Sequence, residues 1–238
     1  MSQSGLSYKI FGMLKGISAV AFDLDGTLYP NYRLYIRLLP FLCRHWRLIK
    51  ALGKARNIIR AEQERSPSST LPDFYDYQAK LTADMLHVQP EQIREKIEKL
   101  VYRGWEPYFS RIKLFPHVRE FLAELKARRL KLGLLSDFPP DIKLKNLNLG
   151  DCWDAVLCTE IIGALKPAAQ PFRELANALG FPPEQILYVG NNRYYDAAGA
   201  RRAGMQTALL ACRLANKNNA EAHFTFNHYR QLRDFVLH

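Results

Sequence analysis

Two carboxylates separated by a single residue follow an apolar run near the beginning of the sequence. Residues 17–22 are mostly apolar, and Asp23, Asp25, Gly26 and Thr27 come soon after them. Paired acids at the carboxyl end of a buried strand lie where open α/β sheets bind ligands. One carboxylate can attack an electrophile while the other carries a proton, if their surroundings separate their pKa values. The pair therefore indicates a catalytic site, and the alternative is an ordinary Asp-Gly turn that ends a strand.

Three later segments also carry polar side chains at or just beyond short apolar runs. Ser136 ends one such run, and Lys166 stands before a proline and a helical stretch. Asn191 and Asp196 follow another run. Each residue alone has an ordinary explanation, such as a helix cap, a surface charge or an acid in a first helical turn. Because the carboxyl ends of parallel strands share one edge of a sheet, the set as a whole predicts one site at that edge.

The four segments resemble the motifs of the haloacid dehalogenase superfamily, which are an Asp-x-Asp, a Ser or Thr, a Lys and a terminal acidic pair. The resemblance covers residues 17–30 and 115–210 of this sequence. It implies that Asp23 is a nucleophile that attacks phosphorus and forms an aspartyl-phosphate. It also implies that Asp25 protonates the leaving oxygen and then activates water for the second step.

The same resemblance implies substrate-binding roles. Ser136 matches the residue that hydrogen-bonds a phosphoryl oxygen. Lys166 matches the residue that neutralises charge on the nucleophile and the phosphate, so it is both a catalytic and a binding residue. From its chemistry alone, Thr27 adds a hydroxyl and an amide that could hold a substrate oxygen.

The cofactor that the resemblance implies is Mg²⁺. Asn191 and Asp196 match the metal-holding end of the site, and Asp23 and the backbone carbonyl of Asp25 complete the ligand set. Mg²⁺ is a hard cation that prefers oxygen ligands, and its charge offsets the repulsion between an aspartate and a dianionic phosphate. The family's phosphatases commonly carry an Asp at the position of Asn191. The neutral amide therefore predicts weaker metal binding and greater reliance on Asp196.

The sequence thus predicts a Mg²⁺-dependent phosphatase that hydrolyses a small phosphorylated metabolite through an aspartyl-phosphate. Two alternatives remain open. A 2-haloacid dehalogenase would use Asp23 to attack carbon, and residues 191–196 resemble that branch. Asp25 would have no use there, because a halide leaves without a proton. A non-catalytic member of the fold would use its basic helices to bind an anionic partner.

Strands and helices alternate on both sides of a long helical stretch. The predicted strands lie at 131–135, 155–158, 186–189, 207–211 and 223–226, and the predicted helices at 116–129, 142–148, 171–179 and 195–203. This alternation predicts an α/β fold with a Rossmann-like parallel sheet in a three-layer α/β/α core. The core comprises residues 1–30 and 111–238. Residues 31–110 are predicted to be all-helical, with helices at 73–87 and 90–103 and a loop at 66–72. The family resemblance implies that this insertion is a cap domain.

The net charge is +11, and part of it is concentrated in one segment. Residues 31–60 contain no acid, and their cations interleave with an apolar helical stripe that should break or kink near Pro40. The cations are Arg33, Arg37, Arg44, Arg47, Lys50, Lys54, Arg56 and Arg60. They could form a solvated surface, attract anionic phosphate esters, or dock on an anionic membrane or nucleic acid. The last explanation ranks lowest, and no nucleic-acid partner is expected.

Composition and cysteine usage favour a globular protein of the cytoplasm. The chain has 238 residues, of which 48% are hydrophobic, so it can bury a sizeable core. No stretch is apolar for long enough to span a membrane, and the short apolar patch at 10–14 does not read as a signal peptide. The cysteines form no metal-like pair and are expected to be small buried thiols. They are Cys43, Cys152, Cys158 and Cys212. The expected partner is a small phosphorylated substrate, and the oligomeric state is left open.

Overall fold

A six-stranded sheet forms the centre of the computed structural model, which describes residues 16–66, 70–211 and 222–237. The strands are β1 (Ala19–Phe22), β2 (Lys131–Ser136), β3 (Ala155–Cys158), β4 (Ile186–Gly190), β5 (Gln206–Leu210) and β6 (Phe224–Phe226). All neighbours pair in parallel, in the order β3-β2-β1-β4-β5-β6. The chain moves outward from β1 to β3 and then returns to the other side of β1. Loops diverge at such a reversal, and a crevice opens at the carboxyl ends of the strands.

Apolar runs explain why the central strands form. All four residues of β1 are fully buried, and Phe22 lies opposite Leu134 of β2 and Val189 of β4. Val20 and Phe22 belong to the apolar cluster on one face of the sheet, whereas alternate residues belong to the cluster on the other face. A strand buried on both faces is typical of parallel sheets covered by helices. The predicted α/β fold class is therefore confirmed.

Helices cover both faces of the sheet and fill the long segment between β1 and β2. They are α1 (Asn31–Arg44), α2 (Trp46–Arg65), α3 (Phe74–Leu86), α4 (Pro90–Ile97), α5 (Glu106–Phe109), α6 (Val118–Ala127), α7 (Asp141–Asn146), α8 (Thr159–Ile162), α9 (Ala169–Leu179), α10 (Gly199–Arg202) and α11 (Tyr229–Leu237). π-Helical turns at Glu98–Tyr102 and Arg193–Ala198 extend α4 and precede α10. Helices α1 to α5, the helical insertion, fall inside the range predicted for a cap. The division of the chain into two domains stays a prediction.

The helical insertion differs from the prediction at Pro40. Helix α1 continues through this proline and ends at Arg44, and α2 begins after His45. A proline cannot bond the carbonyl four residues earlier, which belongs to Ile36. Ile36 is 66% exposed, so water can satisfy that carbonyl. The predicted break at Pro40 is therefore wrong, and the alternative of a kink there stays a prediction. The helix ends four residues later, and the chain turns at His45.

Two cations of the basic segment, Arg56 and Arg60, are shielded from solvent. Arg56 is only 4% exposed and Arg60 is partly buried, because both side chains face the core domain rather than water. The other six cations of the segment are exposed. The solvated-surface interpretation therefore applies to those six and not to the pair near the end of the segment.

Other differences concern the ends of the chain and the cysteines. Helix α11 is not among the predicted elements. Cys158 is buried as expected, but Cys43 is exposed on α1, so the expectation of a buried thiol is wrong there. Cys212, the patch at 10–14 and part of the loop predicted at 66–72 lie outside the described residues. Within the described residues, no helix is long and apolar enough to cross a bilayer.

Candidate active site

The predicted site residues meet at the carboxyl ends of the central strands. Asp23 follows β1, Ser136 ends β2, and Asn191 follows β4. Lys166 comes from the loop between α8 and α9, and its Nζ lies 2.6 Å from Asp23 Oδ1 and 2.8 Å from Asp196 Oδ1. Four segments that are far apart in sequence thus converge at the reversal point of the sheet.

A buried ammonium group joins two buried carboxylates. The side chains of Lys166, Asp23 and Asp196 are 3%, 8% and 3% exposed. Burial raises the pKa of Asp23 to about 7; Lys166 opposes this shift, and Asp196 and Asp25 add to it. Burial alone would lower the pKa of Lys166, but the carboxylates of Asp196 and Asp23 outweigh it and hold that pKa well above its usual value. Lys166 is therefore a permanent cation in the site.

Thr27 orients the first carboxylate. Its hydroxyl donates to Asp23 Oδ2 at 2.7 Å, and Thr27 itself is fully buried. With Lys166 on the other oxygen, both oxygens of Asp23 have a defined partner. Sequence reasoning assigned the Thr27 hydroxyl to a substrate oxygen, whereas the structure shows it bonded to Asp23.

The second carboxylate has different partners and a different exposure. Tyr29 donates its hydroxyl proton to Asp25 Oδ1, and Lys143 Nζ lies 2.5 Å from Asp25 Oδ2. The side chain of Asp25 is 27% exposed, whereas Asp23 lies deeper. Lys143 Nζ also lies over the rings of Phe109 and Phe138, at 5.2 Å and 5.5 Å from their centroids. The two acids therefore have the separate environments that separate roles require.

The loop after β4 presents Asp196 through its backbone. The amide nitrogens of Asn191 and Asn192 donate to Asp196 Oδ2 at 3.1 Å and 2.9 Å. The side chain of Asn192 in turn accepts from the amides of the next helical turn. Asn191 Nδ2 donates to the carbonyl oxygen of Asp25 at 3.3 Å, so the two predicted metal ligands are neighbours and the amide faces that carbonyl through its nitrogen.

Two glycines in this region lie so close to neighbouring side chains that a Cβ would not fit. Gly26 has a φ of +89°, and a Cβ there would lie 2.0 Å from Asn191 Nδ2. A Cβ on Gly190 would lie 2.3 Å from the Cβ of Asp196. A methyl group on Gly190 would displace Asp196, and one on Gly26 would be strained by the positive φ and would displace the Asn191 side chain.

The donor set fits a hard cation such as Mg²⁺. No group of three or more His, Cys, Asp or Glu side chains is arranged to hold a metal in the part of the chain that the structure describes. The predicted set instead combines the carboxylates of Asp23 and Asp196 with a backbone carbonyl and the Asn191 amide. These are all oxygen donors, which Mg²⁺ accepts together with water. In the structure, one oxygen of each carboxylate faces Lys166.

Ser136 lies at the back of the site. It is fully buried at the end of β2, and its hydroxyl oxygen accepts from the amide of Phe138 at 3.3 Å. This bond ties the hydroxyl to the loop that follows its own strand. The predicted contact between Ser136 and a phosphoryl oxygen stays a prediction.

A buried polar network that sequence reasoning missed joins the helical insertion to the core. Arg56 of α2 binds Glu160 of α8 and lies 3.8 Å from Asp137 Oδ2. Arg60 Nη2 donates to the same Asp137 oxygen at 2.8 Å, and its Nε donates to the Lys166 carbonyl at 2.9 Å. Asp137 is held ionised: burial would raise its pKa, but Lys166, Arg60 and Arg56 outweigh burial and lower it.

Comparison with known proteins agrees with this geometry. Residues 17–204 match the model of a family described as haloacid dehalogenase-like hydrolase. The chain is 28% identical over 214 residues to a phosphoglycolate phosphatase of Salmonella typhi, which covers 83% of this chain and 82% of that protein. It is 29% identical over 200 residues to a glyceraldehyde 3-phosphate phosphatase of Methanopyrus kandleri, covering 82% and 84%. Among solved structures, an L-2-haloacid dehalogenase superposes with a TM-score of 0.65 at 23% identity, covering 93% and 99%, which shows a shared fold.

Proposed function

Since the chain belongs to the haloacid dehalogenase-like hydrolase family, we propose that it is a Mg²⁺-dependent phosphatase that works through a covalent aspartyl-phosphate. Membership of this family and the assignment as a phosphatase enzyme agree with what the sequence predicts. The metal, the intermediate and the roles of individual residues are the proposal.

The observation that carries the proposal is the placement of Asp25. A nucleophilic attack by Asp23 on carbon or on phosphorus would need only the deeper carboxylate. Phosphate ester cleavage also needs a proton for the leaving alkoxide, and Asp25 is a second, separately held carboxylate on the open side of the site. Phosphatase chemistry uses both acids, whereas dehalogenation uses one.

In the first step, an oxygen of Asp23 forms a bond to phosphorus as the bond between phosphorus and the ester oxygen breaks. Asp25 gives its proton to that ester oxygen, which leaves as an alcohol. Thr27 fixes the orientation of the attacking carboxylate, and Lys166 offsets the charge that gathers around phosphorus.

In the second step, a water molecule attacks the phosphorus of the aspartyl-phosphate. Asp25, now without its proton, takes a proton from that water, so inorganic phosphate leaves and the Asp23 carboxylate is restored. The hydroxyl of Tyr29 and the ammonium of Lys143 keep Asp25 in one position through both steps.

Charge balance supports a divalent cation held by Asp23, Asp196, Asn191 and the carbonyl of Asp25. Asp25 carries a proton in the first step, so two carboxylates and two ammonium groups remain charged in the site. Their charges cancel, which leaves no net positive charge for a dianionic phosphate. A bound Mg²⁺ would supply positive charge between nucleophile and substrate. It would also favour the ionised form of Asp23, whose pKa burial raises to about 7.

The substrate class follows from the relatives. Those named above act on phosphoglycolate and on glyceraldehyde 3-phosphate, both small phosphorylated compounds. We therefore infer that this chain hydrolyses a phosphate monoester.

The direct test measures hydrolysis of p-nitrophenyl phosphate by wild type and by Asp23→Asn, with and without Mg²⁺. Wild type should turn over only with Mg²⁺, and Asp23→Asn should lose turnover while its circular dichroism stays unchanged. The matched control is Asp151→Asn, which removes an exposed carboxylate far from β1 along the chain and should not change the rate. Acid-quenched reactions with ³²P-labelled substrate should label wild type and not Asp23→Asn.

Two results would overturn the proposal. One is turnover that survives thorough chelation, together with chloride release from a 2-haloacid, which would identify a dehalogenase. The other is a labelled protein whose phosphate maps to a residue other than Asp23.

A further inference from the structure

A large cleft opens between the helical insertion and the core. Its volume is about 510 Å³, which lies within the range of about 300–1,000 Å³ found for pockets that hold drug-sized ligands. Six aromatic side chains line it: Tyr35, Tyr75, Tyr102, Trp105, Phe109 and Phe138. Five of them come from the helical insertion and its ends, and Phe138 comes from the loop after β2. A two-carbon leaving group such as glycolate would leave most of this space unfilled.

The cleft meets the active site at one residue. Among the predicted site residues, all of which the structure describes, Asp25 lines the cleft and the others do not. Asp25 is also the acid proposed to protonate the leaving oxygen. The alcohol portion of the ester must therefore lie on the side of Asp25, which is the side where the cleft opens.

The cations that line the cleft already have carboxylate partners. Lys143 Nζ lies 2.5 Å from Asp25, Arg94 Nε lies 3.1 Å from Asp76, and Arg103 Nε lies 3.0 Å from Glu98. An additional carboxylate on the substrate would compete with these partners instead of meeting a free cation. Four acidic residues line the cleft against these three cations, so it offers little to a second anionic group. The acids are Asp25, Glu98, Glu106 and Asp141.

The rings are arranged to accept another ring. Tyr102 lies edge-on to Tyr75 at 5.8 Å between centroids and is tilted toward Phe138 at 6.2 Å. Lys143, which contacts Asp25, lies 5.5 Å from the centroid of Phe138, so one ring of the cleft wall lies near the acid. Aromatic pairs in such geometries gain about 0.5–1.5 kcal/mol beyond area burial, a gain that a saturated ring of the same size does not share.

We propose that this cleft binds the leaving group and selects phosphate monoesters of uncharged aromatic alcohols over small carboxylated ones. The inference rests on the proposed phosphatase function and assigns its substrate class. It separates this chain from the relatives named above, one of which acts on a carboxylated two-carbon compound.

The test compares kcat/KM for benzyl phosphate, cyclohexylmethyl phosphate, 2-naphthylmethyl phosphate and phosphoglycolate with Mg²⁺ present. All four are primary alkyl esters, which limits differences in leaving-group reactivity. We expect benzyl phosphate to exceed phosphoglycolate by about tenfold or more, and to exceed cyclohexylmethyl phosphate by several-fold. The naphthyl ester should be used at least as well as the benzyl ester, because the cleft has room for two fused rings.

Two matched variants locate the selectivity. Ile142→Trp places an indole inside the cleft and should lower kcat/KM for the naphthyl ester at least tenfold more than for phosphoglycolate. Ile36→Trp makes the same change on a 66% exposed position of α1 outside the cleft, and should leave all ratios unchanged.

A binding measurement keeps the inference separate from the catalytic proposal. The uncharged product 2-naphthalenemethanol should bind wild type in isothermal titration and bind Ile142→Trp at least tenfold more weakly. Alcohol binding without turnover of any ester would overturn the proposed phosphatase function and support the proposal that the cleft binds the alcohol. Three outcomes would overturn the inference about the cleft without contradicting the phosphatase function. They are a preference for phosphoglycolate, equal kcat/KM for the benzyl and cyclohexylmethyl esters, and turnover without alcohol binding. If the protein neither binds the alcohol nor hydrolyses any ester, both proposals are overturned.

Discussion

The ion pair between Arg56 and Glu160 gives a quantitative prediction about stability. Both side chains are buried, and Glu160 Oε1 accepts from Arg56 and from the Tyr102 hydroxyl, the latter at 3.0 Å. Glu160 Oε2 has no hydrogen-bond partner among the described residues. Removing one partner from a buried ion pair costs about 3–5 kcal/mol, because the other charge stays buried without compensation.

The two single substitutions should not cost the same. Arg56→Met leaves the Glu160 carboxylate with only Tyr102, so we expect a loss near 5 kcal/mol. Glu160→Met leaves Arg56 with Gln78 Oε1 at 3.0 Å and Asp137 Oδ2 at 3.8 Å, so the loss should lie near 3 kcal/mol. The double variant removes both charges and should be no less stable than Arg56→Met, since no buried charge is stranded.

Urea unfolding followed by circular dichroism measures these differences. With an m-value of about 3 kcal/mol/M, Arg56→Met should lower the midpoint by about 1.7 M and Glu160→Met by about 1 M. Lys131→Met is the control, because its partner Asp154 and Lys131 itself are largely solvent-accessible and the midpoint should move far less. Additive losses in the double variant, or a shift for Arg56→Met no larger than the control, would refute the reasoning.

Three further predictions concern the active site. Lys143→Met should lower kcat for alkyl phosphates by about tenfold and kcat for p-nitrophenyl phosphate much less. The reason is that a good leaving group needs little help from Asp25, the acid that Lys143 is proposed to position. Equal losses for both substrates would contradict this role of Lys143. Asn191→Asp should reduce the Mg²⁺ concentration for half-maximal activity by about tenfold through its added charge, and an unchanged titration would remove Asn191 from the ligand set. Gly190→Ala should abolish activity, because its methyl group would lie 2.3 Å from Asp196 Cβ. Gly53→Ala, at an exposed position of α2, should instead keep activity and raise the thermal midpoint by about 2–4 °C. A lower midpoint would contradict the helix-propensity argument.

Much of the core could be predicted because its strands are short apolar runs with clear limits. The strand predicted at 155–158 matches β3, and the one predicted at 207–211 is shifted by one residue from β5. The other three listed strands differ from the structure by one residue at one end. Polar residues at the ends of such runs can be placed at one sheet edge without coordinates, which is why Asp23, Lys166 and Asp196 were expected together. Helix α11 was not predicted, although five of its nine residues are apolar and Tyr229, Leu232 and Val236 recur at helical spacing and pack on the core.

The partners of Asp25 and the junction network could not be predicted in the same way. Lys143 reaches Asp25 only because α7 presents that face toward the site, and the sequence of a six-residue helix does not fix its rotation. Arg56 and Arg60 lie in a segment without acids, and their partners follow them by more than 70 residues. Hydrophobic periodicity shows which face of a helix is apolar, but it does not show which cation meets a distant carboxylate.

The two edges of the sheet have a consequence for how the protein behaves at high concentration. In the described part of the chain, β3 and β6 form these edges and contain only four and three residues. Long exposed edges offer unpaired amides and carbonyls to which another molecule can add a strand, and short edges offer few. Edge-to-edge aggregation should therefore be disfavoured in this protein. Ligand titrations that need a high protein concentration should be practical without loss of protein to precipitation.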